Sequence, residues 1–84
     1  MDQVALQLDG TGDWVYLGGN AEAKRPLEVV LRAFDHGVDF VAGSSDASPD
    51  GEPLSVPAGE GRRLEGRHFF VRSTQTGRIS YRGM

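Results

Sequence analysis

Apolar and polar residues alternate with period two over much of this chain. Val4, Leu6 and Leu8 are separated by Ala5 and Gln7, a spacing that buries one face of an extended segment and predicts a first strand. Asp9-Gly10-Thr11-Gly12-Asp13 then reads as a turn. Trp14-Val15-Tyr16-Leu17 follows, apolar on both faces, and ends at Gly18-Gly19. Such a strand is either covered on both sides or shows one face to a partner. Residues 21–37 carry two signals. Leu27, Val30, Leu31 and Phe34 have helical spacing, with Pro26 and Gly37 placed as helix start and stop signals. Leu27, Val29, Leu31 and Ala33 also alternate as a strand. The β-branched content and the β context on both sides favour the strand.

Asp35-His36-Gly37 is expected to turn this strand into a hairpin with Val38-Asp39-Phe40-Val41-Ala42. Residues 43–53 lack a large apolar side chain and are expected to form an exposed loop. Leu54-Ser55-Val56 and Arg62-Arg63-Leu64-Glu65 are short strand candidates. In His68-Phe69-Phe70-Val71-Arg72, Phe69 and Val71 point one way while His68, Phe70 and Arg72 point the other. In Arg78-Ile79-Ser80-Tyr81-Arg82, Ile79 and Tyr81 point inward. The last two strands are expected to pair as a hairpin, and the final arginines to guard a sheet edge. The whole, residues 1–84, reads as one all-β domain, a small antiparallel sandwich or barrel of seven or eight short strands. Its expected core is Val4, Leu6, Leu8, Val15, Leu17, Val29, Leu31, Val38, Phe40, Leu54, Val56, Leu64, Phe69, Val71, Ile79 and Tyr81.

Length changes the picture by limiting the core. A domain of 84 residues buries only about 60% of the surface its unfolded chain exposes. Cysteine is absent, so neither disulfides nor thiolate zinc sites can supplement that core. That leaves a well-made core, docking on a partner, or self-association as a homo-oligomer, with a contribution from the last two expected. No apolar run approaches the 18 or so residues of a membrane span. Met1-Asp2-Gln3-Val4 lacks the basic start of a signal peptide, and the chain reads as a complete product.

Charge is unevenly distributed. Residues 1–60 hold 11 acids and three bases; residues 61–84 hold six arginines and one glutamate. The fold either segregates these blocks into a polar field or interleaves and neutralises them.

Candidate chemistry is sparse. His36 and His68 lack a partner at metal-ligand spacing and are expected in ordinary surface or edge roles, and no serine lies in Gly-x-Ser-x-Gly. Gly10-Thr11-Gly12 and Gly59-Glu60-Gly61 lack the lysine of a phosphate loop. Asp46, Asp50 and Glu52 cluster without the order of an EF-hand, and read as a solvated loop or a weak calcium site. The expectation is a protein with no catalytic residue, no metal and no cofactor. Interface chemistry is better represented. Arg62, Arg63, Arg67, Arg72, Arg78 and Arg82 run among Phe69, Phe70 and Tyr81. Guanidinium groups bind carboxylates bidentately and tolerate interface burial. A net charge of −3 argues against nucleic acid. Trp14 and Tyr16, on one strand face, are either aromatic anchors of an interface or one more core layer.

Several short pieces carry a likeness. They are Val15-Tyr16-Leu17-Gly18-Gly19, Val38 to Asp46, Gly51-Glu52-Pro53-Leu54 with Pro57-Ala58-Gly59-Glu60, and Phe70-Val71-Arg72-Ser73 with Gly77-Arg78-Ile79. Together they resemble small β-sandwich structural proteins of tailed-bacteriophage virions. The resemblance implies a capsid decoration or cement protein, or a head–tail accessory, located in the virion and bound to the major capsid protein or other virion proteins. A carbohydrate- or receptor-binding module of a tail fibre, with Trp14, Tyr16 and Phe70 as an aromatic platform, is the alternative.

Overall fold

Period-two segments become strands because each has one apolar row to hide and a matching row to hide it against. The computed structural model describes residues 3–20, 22 and 24–83; the reading of the opening Met1-Asp2, and Ala21 and Ala23 of segment 21–37, lie outside the described residues. Among the described residues eight strands form: β1 (Val4–Asp9), β2 (Val15–Gly19), β3 (Leu27–Ala33), β4 (Val38–Gly43), β5 (Leu54–Val56), β6 (Gly61–Gly66), β7 (His68–Arg72) and β8 (Thr76–Gly83). The segment with two signals is therefore a strand, β3. No helix occurs among the described residues.

Two antiparallel sheets stack, sheet A in the order β1-β8-β3-β6 and sheet B in the order β2-β7-β4-β5. The first strand pairs with the last, the second with the seventh, the third with the sixth and the fourth with the fifth. The chain is thus one long hairpin rolled up on itself, which is the jelly-roll topology. Its tip is the β4–β5 connection.

Two expected hairpins are corrected by this topology. Asp35-His36-Gly37 carries the chain from sheet A to sheet B, and the turn 73–75 carries it from sheet B to sheet A. Neither β3 with β4 nor β7 with β8 forms a ladder. Tight two-residue hairpins need positive φ in the turn. Positive-φ glycines lie at Gly10, Gly12, Gly18, Gly59 and Gly83, and not at Gly37 or Gly77. These connections arch between sheets instead. A third correction follows. β8 is an interior strand of sheet A, flanked by β1 and β3, so its arginines guard no edge.

The core lies between the sheets. Leu8, Val29, Leu31, Ala33 and Ile79 of sheet A meet Leu17, Val38, Phe40, Val56, Phe69 and Val71 of sheet B. Phe40, Phe69, Leu31 and Ile79 are the largest fully buried side chains, and each such burial stabilises by roughly 1.5–3 kcal/mol. Leu6, Val15, Leu64 and Tyr81 pack around this cluster. Tyr81 also ties the sheets together, its hydroxyl donating to the Leu17 carbonyl at 3.3 Å. Val4, a core residue by its alternation, is instead 44% exposed, because it ends the outermost strand of sheet A and no neighbour covers it.

The charge blocks interleave. Four ion pairs each join an arginine of the last third to an acid from earlier in the chain: Arg62–Glu60, Arg63–Glu28, Arg72–Asp39 and Arg78–Asp35. Arg62–Glu60 is local, while the other three pairs follow from the winding, which sets late strands beside early ones.

Candidate interaction surface

Alternation sends Tyr16, Val41, His68, Phe70, Arg72 and Asp39 to the outer face of sheet B. On β2, Tyr16 faces out and Leu17 in by ordinary alternation; only beyond Tyr16 does the register against β7 shift, between Tyr16 and Gly18. Gly18 absorbs the bulge at φ 137°, a conformation that side chains rarely adopt.

Two clusters occupy this face. In the first, Arg72 lies 4.3 Å above the Trp14 ring and donates from Nε to Asp39 Oδ2 at 3.1 Å. The guanidinium is thereby stacked and charge-paired together, which fixes the indole as well. In the second, the Tyr16 hydroxyl shares a 2.9 Å hydrogen bond with His68 Nδ1, and the Tyr16 ring leans on Phe70 with centroids 5.3 Å apart. Tyr16 remains 41% exposed, and Trp14 is half-buried. Neither belongs to the core cluster between the sheets; both lie on the outer face of sheet B, Tyr16 against Phe70 and His68 and Trp14 against Arg72.

The rest of this face is covered. Phe70, expected as part of an exposed aromatic platform, is only 3% exposed, and Val41 is fully buried. The β4–β5 connection covers them. Its Gly51 amide donates to the Ala42 carbonyl at 3.0 Å, and Ser45 bridges Ser48. A side chain at Gly43 would collide with the Ser48 carbonyl and come within 2.8 Å of Phe70 Cε1. The loop is fastened by Asp50, which accepts from the Ser44 amide at 2.9 Å and the Ser44 hydroxyl at 2.6 Å. Those two bonds hold the Asp50 carboxyl below its ordinary value of 3.8. Asp50 thus works within the loop, and no three acids or histidines converge as a metal site among the described residues. His68, expected in an ordinary surface or edge role, is buried, and its Nε2 lacks a hydrogen-bond partner.

The arginines proposed as one interface divide between places. Arg72 belongs to the Trp14 cluster. Arg63, Arg78 and Arg82 alternate outward on sheet A with Arg32 and Val30. Asp35 accepts from the Arg78 amide and Nε, and the two bonds hold its carboxyl below 3.8. Arg62 turns back on the Gly61 carbonyl and Glu60. Arg67 is half-buried between β6 and β7, its carbonyl accepting from the Asn20 amide at 2.8 Å. Depressions in the surface are shallow; one of about 440 Å³ lies beside the Arg72–Asp39 pair, lined by Gly12, Gly37, Ser55 and Thr74 among others.

Sequence reasoning misses Asp39 and Val41. A signal is present for Val41: Phe40-Val41-Ala42 and Phe69-Phe70-Val71 are apolar on both faces, the mark of strands covered twice. Compared with protein-family models, curated proteins and solved structures, the chain gives no match.

Proposed function

We propose that this protein is a docking module that acts through the outer face of sheet B, and that it serves as a structural accessory of a tailed-phage virion, a decoration or cement protein seated across capsid subunits. The observation that carries the docking reading is the pre-set Trp14–Arg72–Asp39 stack beside exposed Tyr16. Aromatic and arginine side chains dominate binding energy at protein interfaces. Groups already held in place lose little freedom when a partner arrives. A face carrying an aromatic–arginine stack and only shallow depressions fits recognition of another surface better than chemistry on a small molecule, so the proposal is a binding protein and not an enzyme. The virion assignment rests on the sequence resemblance. Jelly rolls recur in viral capsid domains and in lectins, an analogy of fold that agrees with the assignment without carrying it. Contacts across neighbouring subunits would favour the assembled shell by mass action, with weak sites multiplied by copy number.

The test is co-sedimentation of the purified chain with intact shells of the phage that encodes it. Wild type is expected to bind, and Trp14→Ala to weaken binding by at least about tenfold, the scale of a hot-spot loss, with an unchanged melting curve. A chain absent from virions and unable to bind shells would overturn the assignment.

The position of Trp14 outside the core favours one second reading, a carbohydrate- or receptor-binding tip of a tail component. Trp14 and Tyr16 would then stack on sugar rings. A glycan-array signal lost in Trp14→Ala would select it.

A further inference from the structure

The four sheet edges of this sandwich are not equally protected. β6 carries Arg62, Arg63 and Glu65 along its length. β5 is only three residues long and lies between Pro53 and Pro57. β2 is broken by its bulge at Gly18. Charge, brevity, proline and bulges are the usual means of preventing edge-to-edge pairing. β1 has none of them. It pairs with β8 in unbroken register over six residues, has no proline, and is uncharged until Asp9. Its outer side is open: Val4, Ala5 and Gln7 are exposed and Leu6 is half-buried.

The geometry points to a second copy of this chain as the occupant of that edge, through two-fold antiparallel pairing of β1 with β1. The strand is complementary to itself. With Leu6 opposite Leu6 of the second copy, Val4 meets Leu8, Ala5 meets Gln7, and Asp9 meets Gln3. Every pair joins side chains of one face, as a ladder requires, and like charges meet nowhere. Val4, stranded at 44% exposure, gains an apolar neighbour. Sheet A would become one eight-stranded sheet through the dimer, and an isologous contact of this kind closes without leaving an edge for further growth at β1.

Sedimentation equilibrium of the full chain over a concentration series tests this, with a species of twice the chain mass expected. Ala5→Lys with Gln7→Lys sets lysine against lysine twice across the two-fold. The association constant should fall by about tenfold or more, since directly opposed like charges destabilise a ladder. Ala5→Glu with Gln7→Glu should do the same, and mixing the two variants should restore a heterodimer. Position 7 also faces Arg78 across the β1–β8 ladder. If the doubly lysine-substituted chain does not fold for that reason, the glutamate pair alone decides, since a carboxylate suits that arginine neighbour. A wild-type chain that stays monomeric throughout the series overturns the inference. So does a dimer indifferent to both charge variants.

Discussion

The two sheets share one core yet turn different outer faces to their surroundings. Sheet A shows a flat lattice in which Arg32, Arg63, Arg78 and Arg82 surround Val30 and Ser80. Sheet B shows Trp14 and Tyr16 and, directly beside Tyr16, the buried Phe70 and Val41 next to the β4–β5 loop. The first face is mostly charged and held by exposed ion pairs, which contribute little to stability, although Ser80 on it is buried. The second has a small core layer of its own. Two faces with identical alternation can therefore differ in kind, because what covers a face is decided by a loop and not by the strand.

Three measurements test whether the two faces differ in this way. Truncation on the two faces should give the largest difference. Phe70→Ala should destabilise by about 3 kcal/mol, as a buried aromatic does, whereas Val30→Ala on the arginine face should cost under about 1 kcal/mol. Urea unfolding monitored by tryptophan fluorescence reads both; equal losses would erase the distinction between the faces. Next is the covering loop. Gly43→Ala forces a methyl group against the Ser48 carbonyl and Phe70, and overpacking of this kind costs about 1–3 kcal/mol. The same substitution at Gly61, where a Cβ would find its nearest neighbour 3.4 Å away, should cost less. The smallest effect is that of pH. The folded loop holds the Asp50 carboxyl below its ordinary 3.8, so the stabilisation is fully present above that value and fades as pH drops through the lower, folded one. Protection of the Ser44 and Gly51 amides, taken relative to their intrinsic exchange rates at each pH, should hold at pH 5 and decline only below about pH 3.8. Asp50→Asn should remove that pH dependence. Asp35 responds with the same sign but reports on the Arg78 side of sheet A.

Strands are legible in the sequence, and their partners are not. Alternation in Val4–Leu8, Phe69–Val71 and Ile79–Tyr81 identifies which side chains face inward, since period two follows from the pleat alone. Leu27–Phe34 satisfies helix and strand patterns together, and β context resolves it. Pairing is a different matter. Asp35-His36-Gly37 and residues 74–77 have the composition of turns, but composition does not reveal whether a turn joins neighbours in one sheet or arches to the other. Local adjacency suggests β7 with β8, and the fold pairs β8 with β1 and β3. The candidate surface divides in the same way. Trp14 and Tyr16 follow from their place on one strand. The stacking of Arg72 on Trp14, and its pairing with Asp39 from 33 residues away, depend on strand neighbours that no local pattern encodes. The burial of Phe70 escapes a local reading because a polar loop, residues 44–51, covers it with backbone rather than with apolar side chains.

First-with-last winding has a temporal consequence. Val4 must wait for Tyr81, its ladder partner, so sheet A cannot close while the ribosome is still adding β8. Synthesis at about 5–20 residues per second leaves β1 without that partner for several seconds. Topologies dominated by distant contacts also close slowly once released. The innermost pair, β4 with β5, is the first whose two strands are both available.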